Sequence, residues 1–353
     1  MTEITRAACI GGGVIGAGWV ARLLWNGIDV VAYDPDPKAP RRLGEVLENA
    51  DRALGALTPA SGAVKGRLAF GRSIAEAVRD AGFIQESAPE QEGLKRRILA
   101  EVDAHARPDA LVCSSTSGLL PSRLQADMAR PERLMVGHPF NPVYLLPLVE
   151  VCGGEKTAPE HVDRAVTFYR SIGMRPLRIR KEVDGFVADR LLEALWREAL
   201  WLVHDDIATV EEVDDAIRFG AGLRWALMGT FMVYRIAGGE GGMRHFMTQF
   251  GPALKWPWTK LTDVPELTDP FLDKIAAQSD AQAGGLSIRE LERKRDDCLV
   301  AILQALKTQQ FAAGEVLRGY EEGLHHRAHG AAARPAADPA SRHAGSAETA
   351  SPP

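Results

Sequence analysis

Cysteine is scarce in this 353-residue sequence, which has only four: Cys9, Cys113, Cys152 and Cys298. They are scattered along the chain, no two form a CxxC pair, and most lie inside apolar runs. This arrangement disfavours disulfides and thiolate metal sites. We expect reduced thiols that pack in the interior, and no bound metal.

Long hydrophobic runs and a strong net charge are missing too. No stretch approaches the roughly 18 apolar residues of a membrane helix, and the start, MTEITRAACIGGG, lacks the basic and then apolar pattern of a secretory leader. The formal net charge is only -5, so charge favours neither nucleic acid nor an anionic membrane as a partner. We therefore expect a cytoplasmic protein that acts on a small molecule, without nucleic-acid or membrane partners.

The order of apolar segments indicates two structured regions. Up to residue 184, short strand-like segments alternate with helical patterns, and only helical patterns follow. This order predicts an α/β fold: a Rossmann-type, doubly wound parallel sheet in residues 1–184, then an all-helical domain in residues 185–326. Residues 327–353 are rich in alanine and proline with few apolar anchors, and we expect them to be disordered.

Three local signals mark helix ends in the second region. Thr209 with Glu212 and Ser287 with Glu290 have the spacing of capping boxes, in which two side chains bond to the first amides of a helix. Gly220 is placed to end the helix that begins after Thr209.

The segment GGGVIG matches the pattern G-x-G-x-x-G of dinucleotide-binding loops. It follows a predicted strand and opens a predicted helix, and Asp34 lies 18 residues beyond Gly16 at the end of the next strand. The glycines allow a tight turn and close backbone approach to a pyrophosphate, and Asp34 can accept both ribose hydroxyls. Asp34 is followed by Pro35 and Asp36 rather than arginine, so NAD is expected rather than NADP. The expected cofactor residues are Gly11, Gly12, Gly13, Val14, Ile15, Gly16 and Asp34.

The segment GHPFNPVYLLPLVEV, residues 137 to 151, places polar residues in an otherwise apolar strand and turn. His138 closes a predicted strand at its carboxyl end, where open α/β sheets bind ligands, and Glu150 follows 12 residues later. A hairpin-like return would set this carboxylate beside the imidazole. Neutral histidine suits removal of a hydroxyl proton near pH 7. A buried structural histidine and carboxylate are the alternative interpretation.

These residues resemble the 3-hydroxyacyl-CoA dehydrogenase family. The matching segments are SSTSGL, residues 114 to 119, then HPFNPVYLLPLVEV, then VDGFVADRLL, residues 183 to 192. The resemblance extends to about residue 325. It implies NAD-dependent oxidation of a 3-hydroxyl group and a homodimer formed by the helical domain.

The resemblance also implies roles for particular residues. His138 corresponds to the catalytic base and Glu150 to its partner, and Ser117 and Asn141 are expected to bond the substrate oxygen or the nicotinamide region. Glu90 and Lys95, in PEQEGLK, correspond to a pair that approaches the cofactor. The chain departs from the family at Asp189, where asparagine is common; a carboxylate there could favour a cationic substrate or could serve the start of a helix.

The substrate is predicted from the segment FGAGLRWALMGTF, residues 219 to 231. The acyl-CoA branch of the family has Tyr-Pro-Met-Gly-Pro after its GAG, whereas this chain has Leu223, Arg224 and Trp225. Arginine binds a free carboxylate in bidentate fashion, and a thioester offers no such charge near its carbonyl. A branch that oxidises gulonate is similar at GLR. A surface arginine without a ligand remains the alternative.

Aromatic residues make up only 7% of the chain, yet they concentrate between residues 228 and 261. Ring faces attract a quaternary ammonium, which has no N–H to donate. A 3-hydroxy acid with trimethylammonium at C4 is carnitine, and we expect that substrate; gulonate, a 3-hydroxyacyl-CoA, or a crystallin-like role without catalysis are the alternatives. The aromatic stretch comprises Phe231, Tyr234, Phe246, Phe250, Trp256 and Trp258. The residues expected to bind substrate are Arg224, Trp225, Phe140, Tyr144, Asp189 and Phe231.

Overall fold

The computed structural model of the protein describes residues 4–58, 64–226, 229–238, 242–250, 257, 259, 266, 268–284 and 286–332. The strands are β1 Arg6–Ile10, β2 Asp29–Tyr33, β3 Leu68–Phe70, β4 Phe83–Glu86, β5 Leu111–Ser114, β6 Leu134–Pro139, β7 Leu148–Gly153 and β8 Arg175–Ile179. The helices among them are α1 Val14–Trp25, α2 Ala39–Leu57, α3 Ile74–Val78, α4 Glu92–His105, α5 Pro121–Leu124 and α6 Pro159–Ser171.

The strands form one sheet in the order β3-β2-β1-β4-β5-β6-β7-β8. All neighbours in it are parallel except β6 and β7, which form an antiparallel pair. The predicted doubly wound sheet is confirmed as a mostly parallel one. The antiparallel pair is the hairpin-like return expected around Asn141, and it brings the end of β6 and the start of β7 to one edge of the sheet.

Apolar residues cover both faces of the sheet, as alternation along each strand requires. In β1, Ala7 and Cys9 pack toward α1 and α6, while Ala8 and Ile10 pack toward α3 and α4. Because both faces are buried at the centre of the sheet, a central strand such as β5 reads as a continuous apolar run, whereas the edge strands β3 and β8 are largely exposed. The carboxyl edge of the sheet is left as the place where polar side chains gather.

Helices continue the chain after the last strand, and the predicted helical second region is confirmed. They are α7 Ala188–His204, α8 Val210–Ala216, α9 Gly222–Trp225, α10 Thr230–Ala237, α11 Gly242–Phe250, α12 Asp269–Ala283, α13 Ile288–Thr308 and α14 Ala313–Ala332. None of the described helices is long and apolar enough to cross a membrane. The exact division at residues 184 and 185 stays a prediction.

The local helix signals have mixed outcomes. Both predicted capping boxes, at Thr209 and at Ser287, are present. Gly220 was expected to end a helix, and this is wrong: it lies at a kink inside a π-helical turn, Ile217–Ala221, that leads directly into α9. The expected disordered tail also begins too early at residue 327, because α14 continues to Ala332. Residues 333–353 lie outside the described residues.

The cysteines are free, as expected, but they are not all interior. Cys9, Cys113 and Cys152 are buried, and burial raises the pKa of the Cys9 thiol to about 12. Cys298 is exposed on α13, so the expectation of a buried thiol is wrong there.

Candidate active site

His138 and Glu150 face each other across the antiparallel strands. They are direct register partners in β6 and β7, and Nδ1 of His138 lies 3.0 Å from Oε2 of Glu150. Both side chains are buried. A carboxylate at Nδ1 favours the tautomer that carries its proton there, which leaves Nε2 as the basic nitrogen. The sequence order alone suggested this pair, and the sheet register creates it.

Glu150 has a second function that the sequence did not reveal. Its Oε1 accepts hydrogen bonds from the backbone amides of Val187, at 3.0 Å, and Ala188, at 2.9 Å, at the start of α7. Burial alone would raise the pKa of Glu150, but the bonds from His138 and the two amides outweigh it and lower the pKa below its ordinary value. The carboxylate therefore stays ionised at neutral pH, where it orients the imidazole and anchors α7.

Asp189 approaches the other ring nitrogen of His138. Its Oδ2 lies 3.7 Å from Nε2, and its side chain is 23% exposed. Burial raises the pKa of Asp189 above its ordinary value against the pull of His138, and Glu150, Glu193 and Glu90 also raise it. Asp189 thus stands at the nitrogen that can take a proton, whereas Glu150 stands at the nitrogen that cannot.

Two aromatic rings border the imidazole. Phe140 meets His138 edge-on, with ring centroids 4.8 Å apart, and the ring centroid of Phe186, which lies just before α7, is 6.0 Å from that of His138. Phe186 is buried and Phe140 is partly exposed. Of the residues predicted to bind substrate, Phe140 and Asp189 are those that the structure sets beside His138.

A buried ion pair lies at the same edge of the sheet, at the end of β4. Nζ of Lys95 is 2.9 Å from Oε1 of Glu86 and 3.4 Å from Oε2 of Glu90. Glu86, which was not predicted from the sequence, also accepts a 2.5 Å bond from the Ser114 hydroxyl. Lys95 is buried and pairs with these carboxylates, so it supports this edge of the sheet, and its expected approach to the cofactor stays a prediction. A charged residue that ends an apolar strand, as in GFIQES, is the signal that could have identified Glu86.

Glu90 in turn holds the loop after β5. Its Oε1 accepts the amide of Ser117 at 3.1 Å and a short bond from the Thr116 hydroxyl. The structure therefore brings Glu90 and Ser117 together, a contact that was not predicted from the sequence. Ser117 and Asn141 are both exposed at the carboxyl edge of the sheet.

The glycine loop between β1 and α1 has the geometry of a phosphate cradle. Gly11 has a φ of +102°, and a Cβ at Gly16 would lie 1.9 Å from the Gly11 carbonyl oxygen. A Cβ at Gly13 would meet nothing within 4 Å, so open space lies over the loop. The first turn of α1, which includes Val14 and Ile15, has no acidic side chain, and no side chain caps its amides. The loop therefore has room and positive polarity for a dinucleotide pyrophosphate.

Asp34 closes this loop from the end of β2. Its Oδ2 accepts the amide of Gly12 at 2.6 Å, and its Oδ1 accepts the amide of Asp36 at 2.8 Å. These bonds fix the carboxylate beside the loop, and each oxygen keeps a lone pair for a ribose hydroxyl. The chain's own residues thus fit the adenosine half of NAD.

Other predicted substrate residues do not gather at His138. Arg224 and Trp225 on α9 and Phe231 on α10 are exposed, and no hydrogen bond or ion pair joins Arg224 to another described residue. Tyr144 is buried among the C-terminal helices, where its hydroxyl bonds Asp296 at 2.6 Å; its expected ligand contact is therefore corrected to a structural one. Trp256 and Trp258 lie outside the described residues, as does the side chain of Phe250. Among the described residues, no group of histidine, cysteine or acidic side chains is arranged to hold a metal ion.

Comparison with known proteins matches both regions of the chain. Residues 6–183 match the 3-hydroxyacyl-CoA dehydrogenase NAD binding domain, and residues 185–267 match the 3-hydroxyacyl-CoA dehydrogenase C-terminal domain. The crystal structure of 5-formyl-3-hydroxy-2-methylpyridine 4-carboxylic acid 5-dehydrogenase, an NAD+-dependent dismutase, is similar with a TM-score of 0.72 and 30% identity. That similarity covers 86% of this chain and 99% of the other.

Two curated relatives are more similar in sequence. The L-carnitine dehydrogenase of Mesorhizobium japonicum is 61% identical over 329 residues, which cover 92% of this chain and 90% of the relative. The L-carnitine dehydrogenase/betainyl-CoA thioesterase of Rhizobium meliloti is 59% identical, over 92% of this chain and 66% of its own length.

Proposed function

Because the chain belongs to the 3-hydroxyacyl-CoA dehydrogenase family, we propose that it oxidises the 3-hydroxyl of L-carnitine with NAD. The reaction is L-carnitine plus NAD+ to 3-dehydrocarnitine plus NADH and a proton. The pairing of His138 with Glu150 at 3.0 Å supports the chemistry, since it supplies a buried, oriented base at the sheet edge. The 61% identity to a protein named L-carnitine dehydrogenase supports the substrate.

His138 is the proposed catalytic base. Its Nε2 accepts the proton of the C3 hydroxyl, and the ionised Glu150 stabilises the imidazolium that forms. Bound NAD supplies the acceptor for the C3 hydride. Ser117 and Asn141, exposed at the same edge, are proposed to bond the substrate oxygen or the nicotinamide amide. The two ring nitrogens thus have different roles: Nδ1 is bonded to Glu150, and Nε2 accepts the proton of the substrate.

The glycine loop and Asp34 are proposed to hold the adenosine and pyrophosphate of NAD. Gly11, Gly12, Gly13, Val14, Ile15 and Gly16 form the cradle. Asp34 accepts the ribose hydroxyls and would repel a 2′-phosphate. Lys95 and Glu90 are proposed to act indirectly, by fixing the loop after β5 on which Ser117 lies.

Comparison of three substrates tests this proposal. We expect L-carnitine with NAD to give a kcat/KM at least about 100-fold above that of gulonate or 3-hydroxybutyryl-CoA, since gulonate lacks the ammonium group and the thioester lacks both the ammonium and the free carboxylate. Initial rates of NADH formation at 340 nm measure it, with NADP in place of NAD as the cofactor control. Absence of turnover with carnitine, or faster turnover of either competitor, would exclude the substrate.

Arg224 is proposed to bind the carboxylate of the substrate. It is exposed on α9, and no hydrogen bond or ion pair joins it to another described residue. Arg224→Met is expected to raise KM for carnitine about 10- to 100-fold with little change in kcat, because a bidentate charged contact is lost. Arg218→Met, which removes an arginine that pairs with Asp215, is the control. An unaltered KM in Arg224→Met would remove Arg224 from the site.

We propose that the protein is a cytoplasmic homodimer. Leu191 and Trp196 on α7 are 68% and 54% exposed, and Phe231 on α10 is 81% exposed. Large apolar side chains exposed on the helices of one domain are typical of a surface covered by a partner. The family resemblance of the helical domain supports a second copy of the chain as that partner.

A further inference from the structure

Asp189 is the one acidic residue beside His138 whose role neither the cofactor nor the base requires. Glu150 already serves Nδ1 of His138 and the first amides of α7. Asp189, the second residue of α7, is the acidic residue of its first turn, and its Oδ2 also lies 3.7 Å from Nε2 of His138. A first-turn carboxylate favours the helix dipole, but this role does not require the contact of Asp189 with Nε2, which remains to be explained.

The position of Asp189 matches the charge distribution of the proposed substrate. The C3 oxygen and the C4 ammonium nitrogen of carnitine are separated by two carbons, so they lie about 3 to 4 Å apart. With the hydroxyl on Nε2, a substrate whose C4 points toward Asp189 can bring its ammonium within about 4 to 6 Å of the carboxylate oxygen that is itself 3.7 Å from Nε2, which is the range of strong charge interaction. No described lysine or arginine forms an ion pair with Asp189, so a substrate cation would find the carboxylate available.

Phe140 completes the environment that a quaternary ammonium prefers. Its ring lies edge-on to His138 at 4.8 Å between centroids and is partly exposed, so its face can take methyl groups that carry positive charge. A trimethylammonium has no N–H, and it therefore needs a negative charge nearby rather than a directed hydrogen bond.

We propose that Asp189 is the residue that selects the cationic end of the substrate, with its carboxylate beside the trimethylammonium and Phe140 against the methyl groups. The inference rests on the proposed function and deepens it. It also accounts for the departure from the family's common asparagine, because an amide would keep the shape of the site and lose its charge.

The test compares carnitine with its neutral isostere, 3-hydroxy-5,5-dimethylhexanoate, in which carbon replaces the ammonium nitrogen. In Asp189→Asn, we expect kcat/KM for carnitine to fall about 10- to 100-fold, mainly through KM, because a charged contact in a largely desolvated site is lost. The rate with the isostere is expected to stay within about threefold, since it never made that contact. Glu193→Gln removes the same charge one turn along α7 and is expected to leave kcat/KM unchanged with both substrates.

Three results would overturn the inference. An equal loss of kcat/KM with both substrates would mean that Asp189 acts on the reacting oxygen or on the fold. An unchanged kcat/KM for carnitine would exclude Asp189 from recognition of the ammonium. An equal effect of Glu193→Gln would indicate that any negative charge on this part of α7 suffices. Failure of the unaltered protein to oxidise carnitine would instead refute the proposed function. NADH binding by fluorescence checks folding, and Asp189→Ser provides the same neutralisation if Asp189→Asn does not fold.

Discussion

Replacing His138 with glutamine is expected to lower kcat for carnitine oxidation by about 10²- to 10⁴-fold, the usual contribution of a positioned general base. Glutamine keeps the approximate size and a hydrogen-bonding end, but it cannot accept the hydroxyl proton. The glycine loop is formed by other residues, so NADH affinity is expected to stay within about threefold. Steady-state rates and NADH fluorescence titration measure the two quantities separately.

The control for this change is His161→Gln, which removes an imidazole on α6 that bonds Arg164. It is expected to leave kcat unaltered. Glu150→Gln is expected to retain part of the activity lost in His138→Gln, because a neutral amide still orients Nδ1 but stabilises the imidazolium less. A His138→Gln protein with full kcat would refute the assignment of the base, and the alternative of a buried structural histidine would then stand.

Gly16→Ala is expected to weaken NAD binding by at least about 10- to 100-fold and to lower the melting temperature by several degrees. A Cβ at this position would lie 1.9 Å from the Gly11 carbonyl oxygen, so the loop or α1 must shift. Overpacking of this kind costs about 1 to 3 kcal/mol, and the displaced loop no longer presents its amides to the pyrophosphate. Calorimetric titration with NAD and thermal unfolding test both effects.

Gly13→Ala separates the two causes. A Cβ at Gly13 meets nothing within 4 Å, so the fold should be undisturbed while the methyl group enters the space of the pyrophosphate. We expect an unchanged melting temperature and weaker NAD binding. Gly44→Ala, at an open and exposed position of α2, is the matched control and should lower neither the melting temperature nor the affinity for NAD. Unchanged NAD affinity in both loop variants would place the cofactor elsewhere.

Local patterns predicted much of the fold and of the site. The capping boxes at Thr209 and Ser287 could be predicted because each depends on two residues three positions apart. The glycine loop could be predicted because its turn geometry admits few other residues. The prediction that Gly220 ends a helix was wrong because it depends on the path of the chain beyond the glycine. A glycine ends a helix only where the following residues turn away, and here the chain continues into α9 through a π-helical turn.

Contacts between distant residues could not be predicted in this way. Tyr144 lies within the segment that contains His138 and Glu150, yet its hydroxyl bonds Asp296, 152 residues away, and this places it in the packing of the C-terminal helices. The expected approach of Lys95 to the cofactor stays a prediction, whereas its ion pair with Glu86, created by the packing of α4 on β4, was not predicted. In both cases burial against a separate element decides which partner a polar side chain meets.

By itself, the sequence determined the class of fold, the dinucleotide loop and the residue types of a base and its carboxylate, because periodicity and glycine spacing are imposed by local backbone geometry. Only the tertiary structure decided which residue contacts each nitrogen of the base. The register of β6 and β7 places Glu150 at Nδ1 of His138, and the packing of α7 places Asp189 near Nε2. Those two assignments depend on how a strand and a helix pack, which no local pattern encodes, and they separate the residue that orients the base from the residue that we propose selects the substrate.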